Sequence, residues 1–356
     1  MKILHVIGNR PQFIKLAPVL KASERDKEIK NVCLHTGQHY DYNLSKLFFD
    51  ELKIPEPDYY LDVGSGSHGY QTGEMIKRIE NVLTDEKPDF VLVYGDTNST
   101  LAGALAAVKL HIKTGHVEAG LRSYDKSMPE EINRVLADHC SNLLFCPTKT
   151  AIANLKKEGH IKGVYLTGDV MVDALLHNRE VAEKSNIIEK LGFKNEEYFV
   201  ATIHRASNTD NKENLENIIE AFCEINEEIV FPVHPRTEKF LRKYQLYKKL
   251  KEHIDLIKPL GYLDFLKLMS HSKKILTDSG GVQKEAYILK VPCITLRENT
   301  EWIETVEDGW NILVGTNKKR IIKMMNKFKP INKQRYVFGR GDASERIIKI
   351  LGGWKE

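Results

Sequence analysis

GDTNSTLAGALAAVKLHIKTGHVEAGLRSYDKSMPEEINR, running from Gly95 to Arg134, decides how this chain is read, because an uninterrupted apolar run, FVLVY from Phe90 to Tyr94, leads straight into it. Such a run between turn signals predicts a strand buried in a parallel sheet, followed by a helix through Leu101 to Leu110. Asp96 then falls just past the carboxyl end of that strand. Gly115-His116-Val117-Glu118-Ala119-Gly120 closes the next predicted strand and delivers Glu118 to the same edge. After a polar loop, Pro129-Glu130-Glu131 opens a helix, with proline in the first turn and acids where the helix dipole favours them. Asp96, Glu118 and Glu130 are therefore expected to converge at the edge where open α/β sheets build their sites. Taken singly, Asp96 reads equally well as a helix N-cap and Glu130 as a first-turn acid. Two of the three follow apolar strands in glycine-rich loops, where a buried carboxylate is costly without a partner or a task, and this favours a functional set.

A chain of 356 residues is long for one core and fits two α/β domains. With 42% hydrophobic and 29% charged residues it reads as a globular, cytoplasmic protein. No apolar run approaches the ~20 residues that span a bilayer, and MKILHVIGNR is too short an apolar stretch for a signal peptide. The net charge of +4 is small for the length, and Lys and Glu alternate along the predicted helices, so nucleic-acid binding is not implied. Cys33, Cys140, Cys146, Cys223 and Cys293 are scattered without metal-ligand spacing. They predict reduced, mostly buried thiols and argue against a zinc site or a disulfide framework.

Outward from the central stretch, strand and helix alternate, which specifies parallel sheets with right-handed crossovers. KILHVI (2 to 7) is the first strand, and Gly8-Asn9-Arg10 turns into a helix from Pro11 to Leu20. That turn has one glycine and matches neither dinucleotide nor P-loop fingerprints, yet a helix N-terminus flanked by Arg10 and Lys15 suits an anion. NVCLHT (31 to 36) is the second strand, followed by Gly37-Gln38-His39 and a helix from Leu44 to Leu52. Residues 55 to 70 read as a loop, and a helix from about Gln71 to Asp85 leads into FVLVY. LLFCPT and VYLTGD add two further strands. The domain join is placed in the charged stretch after residue 170.

A second series starts at FVATIH (199 to 204), continues with a helix over 213 to 226, a strand over 229 to 234, a helix over 237 to 250 and the strand IDLIKPL. The helix LDFLKLMS, the strand KILTDS, a helix over 281 to 289 and the strand VPCITL follow. Two such series predict paired Rossmann-like domains with a cleft between them, residues 1–172 with a returning C-terminal helix in 338–356, and residues 173–337. His204-Arg205 and His234-Pro235-Arg236 end successive strands, suiting a diphosphate and proton transfer at a leaving oxygen. Ser279-Gly280-Gly281 opens a helix that offers backbone N–H groups to phosphate, and Glu285, one turn on, is placed to meet ribose hydroxyls.

These residues carry a resemblance. Gly8-x-Arg10-Pro11-x-x-Ile14-Lys15, Thr36-Gly37-Gln38-His39, Gly95-Asp96-Thr97, His116-Val117-Glu118-Ala119-Gly120-Leu121-Arg122 and Pro129-Glu130-Glu131-x-Asn133-Arg134 occur in order. So do His204-Arg205, His234-Pro235, Thr277-Asp278-Ser279-Gly280-Gly281-x-Gln283-x-Glu285 and Ala343-Ser344-Glu345-Arg346-Ile347. Almost end to end, the chain resembles the non-hydrolysing UDP-N-acetylglucosamine 2-epimerases. The resemblance implies a glycosyltransferase-B architecture, a homodimer, a UDP-sugar substrate, no nicotinamide or other cofactor, and no required metal. It also implies elimination of UDP from C1 as the C2 proton leaves, then re-addition to a 2-acetamidoglucal with C2 reprotonated on the other face. By the same resemblance Asp96, Glu118 and Glu130 transfer protons and His204 assists the departing diphosphate. Arg10, Lys15, Arg134, Arg205, His234, Ser279, Gly280, Gly281 and Glu285 hold UDP, and Gln38 and His39 suit a second, activating nucleotide sugar. The family's usual Arg-Pro-Glu reads Arg10-Pro11-Gln12 here, and its Thr-Glu-Arg-Pro-Glu reads Thr300-Glu301-Trp302-Ile303-Glu304. Both departures point to the branch that includes epimerases of UDP-2,3-diacetamido-2,3-dideoxyglucuronate. A UDP-sugar glycosyltransferase is the other enzyme reading.

Overall fold

The computed structural model describes residues 1–38 and 53–354, apart from the side chain of Arg10. The helix expected over Leu44 to Leu52 and the site residue His39 lie outside those residues. The chain divides into two compact units, Met1–His177 with Tyr336–Glu356, and Asn178–Arg335. The division falls within the helix Val170–Ala182. The early residues Val170, Met171, Val172, Ala174 and Leu175 of that helix are buried. The carboxylate of Asp173 accepts the N–H groups of Ala343 (3.2 Å) and Ser344 (2.7 Å), fixing the start of the C-terminal helix Ala343–Gly353 on the first unit.

The first unit holds β1 (Lys2–Ile7), β2 (Lys30–His35), β3 (Tyr59–Tyr60), β4 (Phe90–Tyr94), β5 (Lys113–Val117), β6 (Leu143–Cys146) and β7 (Val164–Leu166). They form one sheet in the order β3-β2-β1-β4-β5-β6-β7, parallel at every pairing. The second holds β8 (Tyr198–Thr202), β9 (Glu228–Pro232), β10 (Asp255–Ile257), β11 (Lys274–Thr277), β12 (Cys293–Thr295) and β13 (Asn311–Leu313). Its order is β10-β9-β8-β11-β12-β13, again all parallel. In each sheet the order reverses once, between β1 and β4 and between β8 and β11. Loops leaving neighbouring strands there diverge, which opens a crevice at the carboxyl ends.

All five residues of β4 are buried, as expected for a strand covered on both faces. The helix Asn98–Lys109 closes over it with a Thr97–Thr100 capping box. Gly103 lets that helix approach, since a Cβ there would stand 2.9 Å from Val93 Cγ1 and 3.1 Å from Val6 Cβ. The polar residue His5 is enclosed in this core. It bonds Tyr94 Oη (2.7 Å) and Asn31 Oδ1 (3.0 Å), and burial pushes its pKa down to about 4.

Three differences from the sequence reading have local causes. Residues 59 and 60, read within a loop, pair with β2 as an edge strand too short to show alternation. The single helix expected over 237 to 250 is two, Pro235–Lys243 and Tyr247–Lys251, because Gln245 takes a left-handed turn (φ 62°) that buries Leu246. The strand β13 and the helix Lys318–Lys327 were not anticipated in the polar stretch after residue 296.

Because Gly103 sets the spacing between helix and sheet, Gly103→Val should cost about 1–3 kcal/mol by overpacking. Urea unfolding followed by circular dichroism measures this, and an unchanged midpoint would contradict the packing described.

Candidate functional site

In the first unit the site grows from the β1/β4 reversal. The turn after β4 depends on Gln12, which is buried and fully engaged. Its Oε1 accepts the Gly8 N–H (2.7 Å), and its Nε2 donates to Tyr94 O (2.8 Å), Thr97 Oγ1 (3.0 Å) and Thr100 Oγ1 (3.1 Å). A glutamate could accept from Gly8 but could not donate to the Tyr94 carbonyl. Gln12 thus ties two loops together inside the unit, so its replacement of the family's usual Glu says nothing direct about the sugar. The anion site expected at Gly8-Asn9-Arg10 is altered as well. The Gly8 N–H is spent on Gln12, and a Cβ at Gly8 would collide with Thr36 Oγ1 and Ser99 Oγ.

Asp96 follows Gly95, which needs its left-handed φ of 66°. The Asp96 carboxylate accepts Arg134 Nε (3.1 Å) and Nη2 (2.6 Å) through Oδ2, while its backbone carbonyl accepts Asn133 Nδ2 (3.0 Å). Arg134 is buried and also holds Glu131 at 2.8 Å. Glu131, expected from the sequence only as a first-turn acid, fastens the polar loop by accepting the N–H groups of Ser123 (2.9 Å) and Tyr124 (2.8 Å). Burial alone would raise its pKa, but these N–H groups and Arg134 outweigh burial and hold it below the usual carboxylate range. Glu130 stands half-buried beside it in the first turn of the helix Pro129–Cys140.

Glu118 sits just beyond β5 with a left-handed backbone, φ 75°, a conformation that costs a side-chain-bearing residue about 1 kcal/mol or more. It is 7% exposed and paired with Lys15, itself buried. A Cβ on Gly95 would lie 2.8 Å from Lys15 Nζ and 3.6 Å from Glu118 Oε2, so the glycine is needed for that ion pair as well as for the turn. Asp96 and Glu118 therefore flank one glycine, each carboxylate with its own buried cation.

Beneath them lies a charge network whose members the sequence reading quoted or passed over without assigning a role. His116 Nδ1 meets Asp138 Oδ1 and Nε2 meets the Gly95 carbonyl, both at 2.7 Å. The ring bridges the two loops and has no exposed surface. Asp138 also accepts Gly120 N–H (3.1 Å) and Arg122 Nη1 (2.7 Å), and Arg122 forks onto Glu158 at 2.8 and 2.6 Å. Burial would raise the Asp138 pKa, but His116 and Arg122 hold it below the ordinary value. His116 and Arg122 lie in the quoted HVEAGLR motif, whereas Asp138 lies four residues past Arg134 on a helix and carries no local signal.

In the second unit the β8/β11 reversal is organised by Asp278, which has no exposed surface. It accepts the N–H groups of His204 (3.0 Å) and Arg205 (3.0 Å) and Asn208 Nδ2 (3.0 Å). His204 Nδ1 lies 3.6 Å from its carboxylate, and the His204 and His234 rings approach with centroids 5.9 Å apart. His234 caps its own helix by accepting Arg236 N–H at 3.2 Å. Ser279 caps the helix Gly280–Leu289. A Cβ on Gly280 would strike Glu301, so that glycine serves packing, whereas a Cβ on Gly281 would meet only Ser279 Oγ at 3.9 Å, leaving room for a ligand. Arg205 reaches Glu301 at 4.0 Å, and Arg297 holds Glu301 at 2.9 Å. Burial and the neighbouring Glu285 push the pKa of the Tyr262 phenol well above its usual value. Trp302 is buried, with Lys284 Nζ 4.3 Å from its ring centroid. Gln38, beside the first unit's switch point, accepts Ser99 N–H (3.1 Å) and its hydroxyl (2.7 Å).

Two all-parallel sheets, each with charged side chains gathered where its strand order reverses, define an α/β protein of two Rossmann-like units. The chain belongs to the UDP-N-acetylglucosamine 2-epimerase family, whose model matches residues 21–352. It is 60% identical over 356 residues to the UDP-N-acetylglucosamine 2-epimerase homolog of Methanococcus maripaludis, covering 99% of each chain. Against the UDP-2,3-diacetamido-2,3-dideoxy-D-glucuronate 2-epimerase of Pseudomonas aeruginosa it is 46% identical over 360 residues, again covering 99% of each. The crystal structure of Methanocaldococcus jannaschii UDP-GlcNAc 2-epimerase in complex with UDP-GlcNAc and UDP matches with a TM-score of 0.93 at 51% identity, over 99% of both chains.

Asp138→Asn should destabilise the first unit by about 3–5 kcal/mol, because it takes a buried counter-charge from Arg122. The folded pKa of Asp138 is depressed, so its contribution is present above the unfolded value near 3.9 and is lost as pH falls through the folded one. The gap between wild type and variant in urea unfolding should be full at neutral pH and narrow in acid. A gap that widens in acid contradicts the assignment.

Proposed function

We propose that this chain interconverts UDP-N-acetylglucosamine and UDP-N-acetylmannosamine by eliminating UDP and adding it back through a 2-acetamidoglucal. The observation that carries this reading is the pair of carboxylates flanking Gly95, the buried Glu118 with Lys15 and the partly exposed Asp96 with the buried Arg134. Inverting C2 requires a proton to leave one face and return to the other, so a single base is insufficient and several carboxylates are chemically apt. Asp96, Glu118 and Glu130 are assigned to proton transfer, with no face allotted to each. His204 is assigned to the departing diphosphate, supported by its half-exposed ring at a strand end beside Arg205 and His234. The open backbone at Gly281, the Ser279 cap and Glu285 suit the phosphates and ribose of UDP, with Gly280 shaping that turn. Lys15 and Arg134 act first on the carboxylates they hold, and Arg10 remains assigned to the diphosphate.

Membership of the family and 60% identity to a relative so named favour UDP-N-acetylglucosamine as substrate. The 46% identity to a diacetamido-glucuronate epimerase keeps that sugar as the second reading. Gln38 suits a second, activating nucleotide sugar, together with His39. We also assign a homodimer acting in the cytoplasm. The exposed Ile132 and Leu136, one helical turn apart, suit a subunit contact, and among the described residues no helix is long and apolar enough to cross a membrane.

The test is proton NMR of UDP-N-acetylglucosamine with the pure protein in deuterated water. UDP-N-acetylmannosamine carrying deuterium at C2 is the expected product. Exchange seen only with the diacetamido uronic acid selects the second reading, and sugar transfer to an acceptor without exchange selects a glycosyltransferase. In the same assay Asp96→Asn, Glu118→Gln and Glu130→Gln should each slow exchange by about a hundredfold or more while UDP binding persists. Full exchange in all three variants removes the proton-transfer assignment.

A further inference from the structure

Away from both strand reversals, the structure brings together three side chains that no part of the epimerisation uses. His139 lies in the last turn of the helix Pro129–Cys140. Glu158 caps the helix Lys149–Lys157, and His160 follows after Gly159, whose left-handed φ of 89° turns the chain back. The His160 N–H donates to the Leu155 carbonyl at 2.9 Å, which fixes the turn. His139 Nδ1 and His160 Nε2 stand 3.2 Å apart, and His139 Nε2 lies 3.7 Å from Glu158 Oε2. One ligand atom from each of the three residues falls within 4.8 Å of the others.

We propose that His139, Glu158 and His160 form a surface site for a late first-row divalent metal ion, with zinc as the reference ion. Two imidazole nitrogens bound to one tetrahedral zinc at the usual ~2.0–2.1 Å stand roughly 3.3 Å apart, so the observed gap needs almost no movement. Two imidazoles and a carboxylate form a donor set that suits zinc, nickel or cobalt better than magnesium or calcium. The His139 side chain is 46% exposed, which leaves the ion a path from solvent and open positions for water. Glu158 is already oriented, because Arg122 holds both of its oxygens at 2.8 and 2.6 Å and is itself anchored on Asp138. Each oxygen keeps a second lone pair for the metal, and outer partners of this kind hold a ligating carboxylate in place. An ion here would clamp the end of one helix to the turn after the next. The inference is independent of the proposed reaction, since no residue of the three is assigned to it.

Isothermal titration with zinc chloride on the full, chelator-treated chain tests it, with the zinc-dependent rise in thermal midpoint as a second readout. One ion per chain is expected, with a dissociation constant in the micromolar range or tighter. His139→Ala and His160→Ala should each weaken binding by about tenfold or more and abolish most of the thermal shift. His139 is exposed and His160 only half-buried, so the metal-free midpoints of the variants should match wild type and show that folding is intact. No saturable binding, or binding weakened less than tenfold in both variants, overturns the proposal.

Discussion

Asp138 is the constraint on which the first unit's site depends. A carboxylate with no exposed surface survives only if its lone pairs are filled, and here an imidazole ring, a backbone N–H and a guanidinium fill them. The three donors belong to His116, Gly120 and Arg122, which bracket Glu118 in sequence. Fixing them leaves the intervening chain little choice, and the left-handed backbone of Glu118 is the result. The other end of His116 grips the Gly95 carbonyl, so the turn that carries Asp96 is tied to the same carboxylate. One buried charge thus sets the path of two strand-end loops.

The second unit solves the same problem with Asp278. It too is fully buried, and at the strand reversal it collects the backbone N–H groups of His204 and Arg205. A carboxylate suits this position because it accepts only and offers about four lone pairs, matching the run of outward-pointing N–H groups where a strand unravels. In both units the chemistry-bearing side chains stand next to a residue held by such an aspartate. Parallel sheets supply the crevice, and the buried aspartates supply its precision.

The sheets were legible because parallel strands covered on both faces are written as continuous apolar runs, FVLVY most plainly. Asp96, Glu118 and the Ser279-Gly280-Gly281 turn could be read from their places after such runs. Asp138 and Glu131 could not, since both lie inside a helix whose period explains them as ordinary polar positions, and their partners come from other loops. Gln12 looked like a mark of substrate choice because the family pattern has Glu there, and only its four bonds reveal a link between loops. The His139, Glu158 and His160 cluster was equally hidden, because metal spacing was sought among cysteines and the two histidines are brought together by a helix end and a turn. The short strands β3 and β13 escaped because two or three residues carry no periodicity.

Asp138, through the loops it fixes, is expected to position the carboxylates to which proton transfer is proposed, without taking part in holding the nucleotide. The direct measurement is UDP affinity and the rate of deuterium entry at C2, taken side by side on wild type and Asp138→Asn at a temperature where both are folded. UDP affinity should be unchanged and exchange slowed by about tenfold or more, since misplacement of an acid or base by an ångström is costly. Undiminished exchange in the folded variant would contradict it.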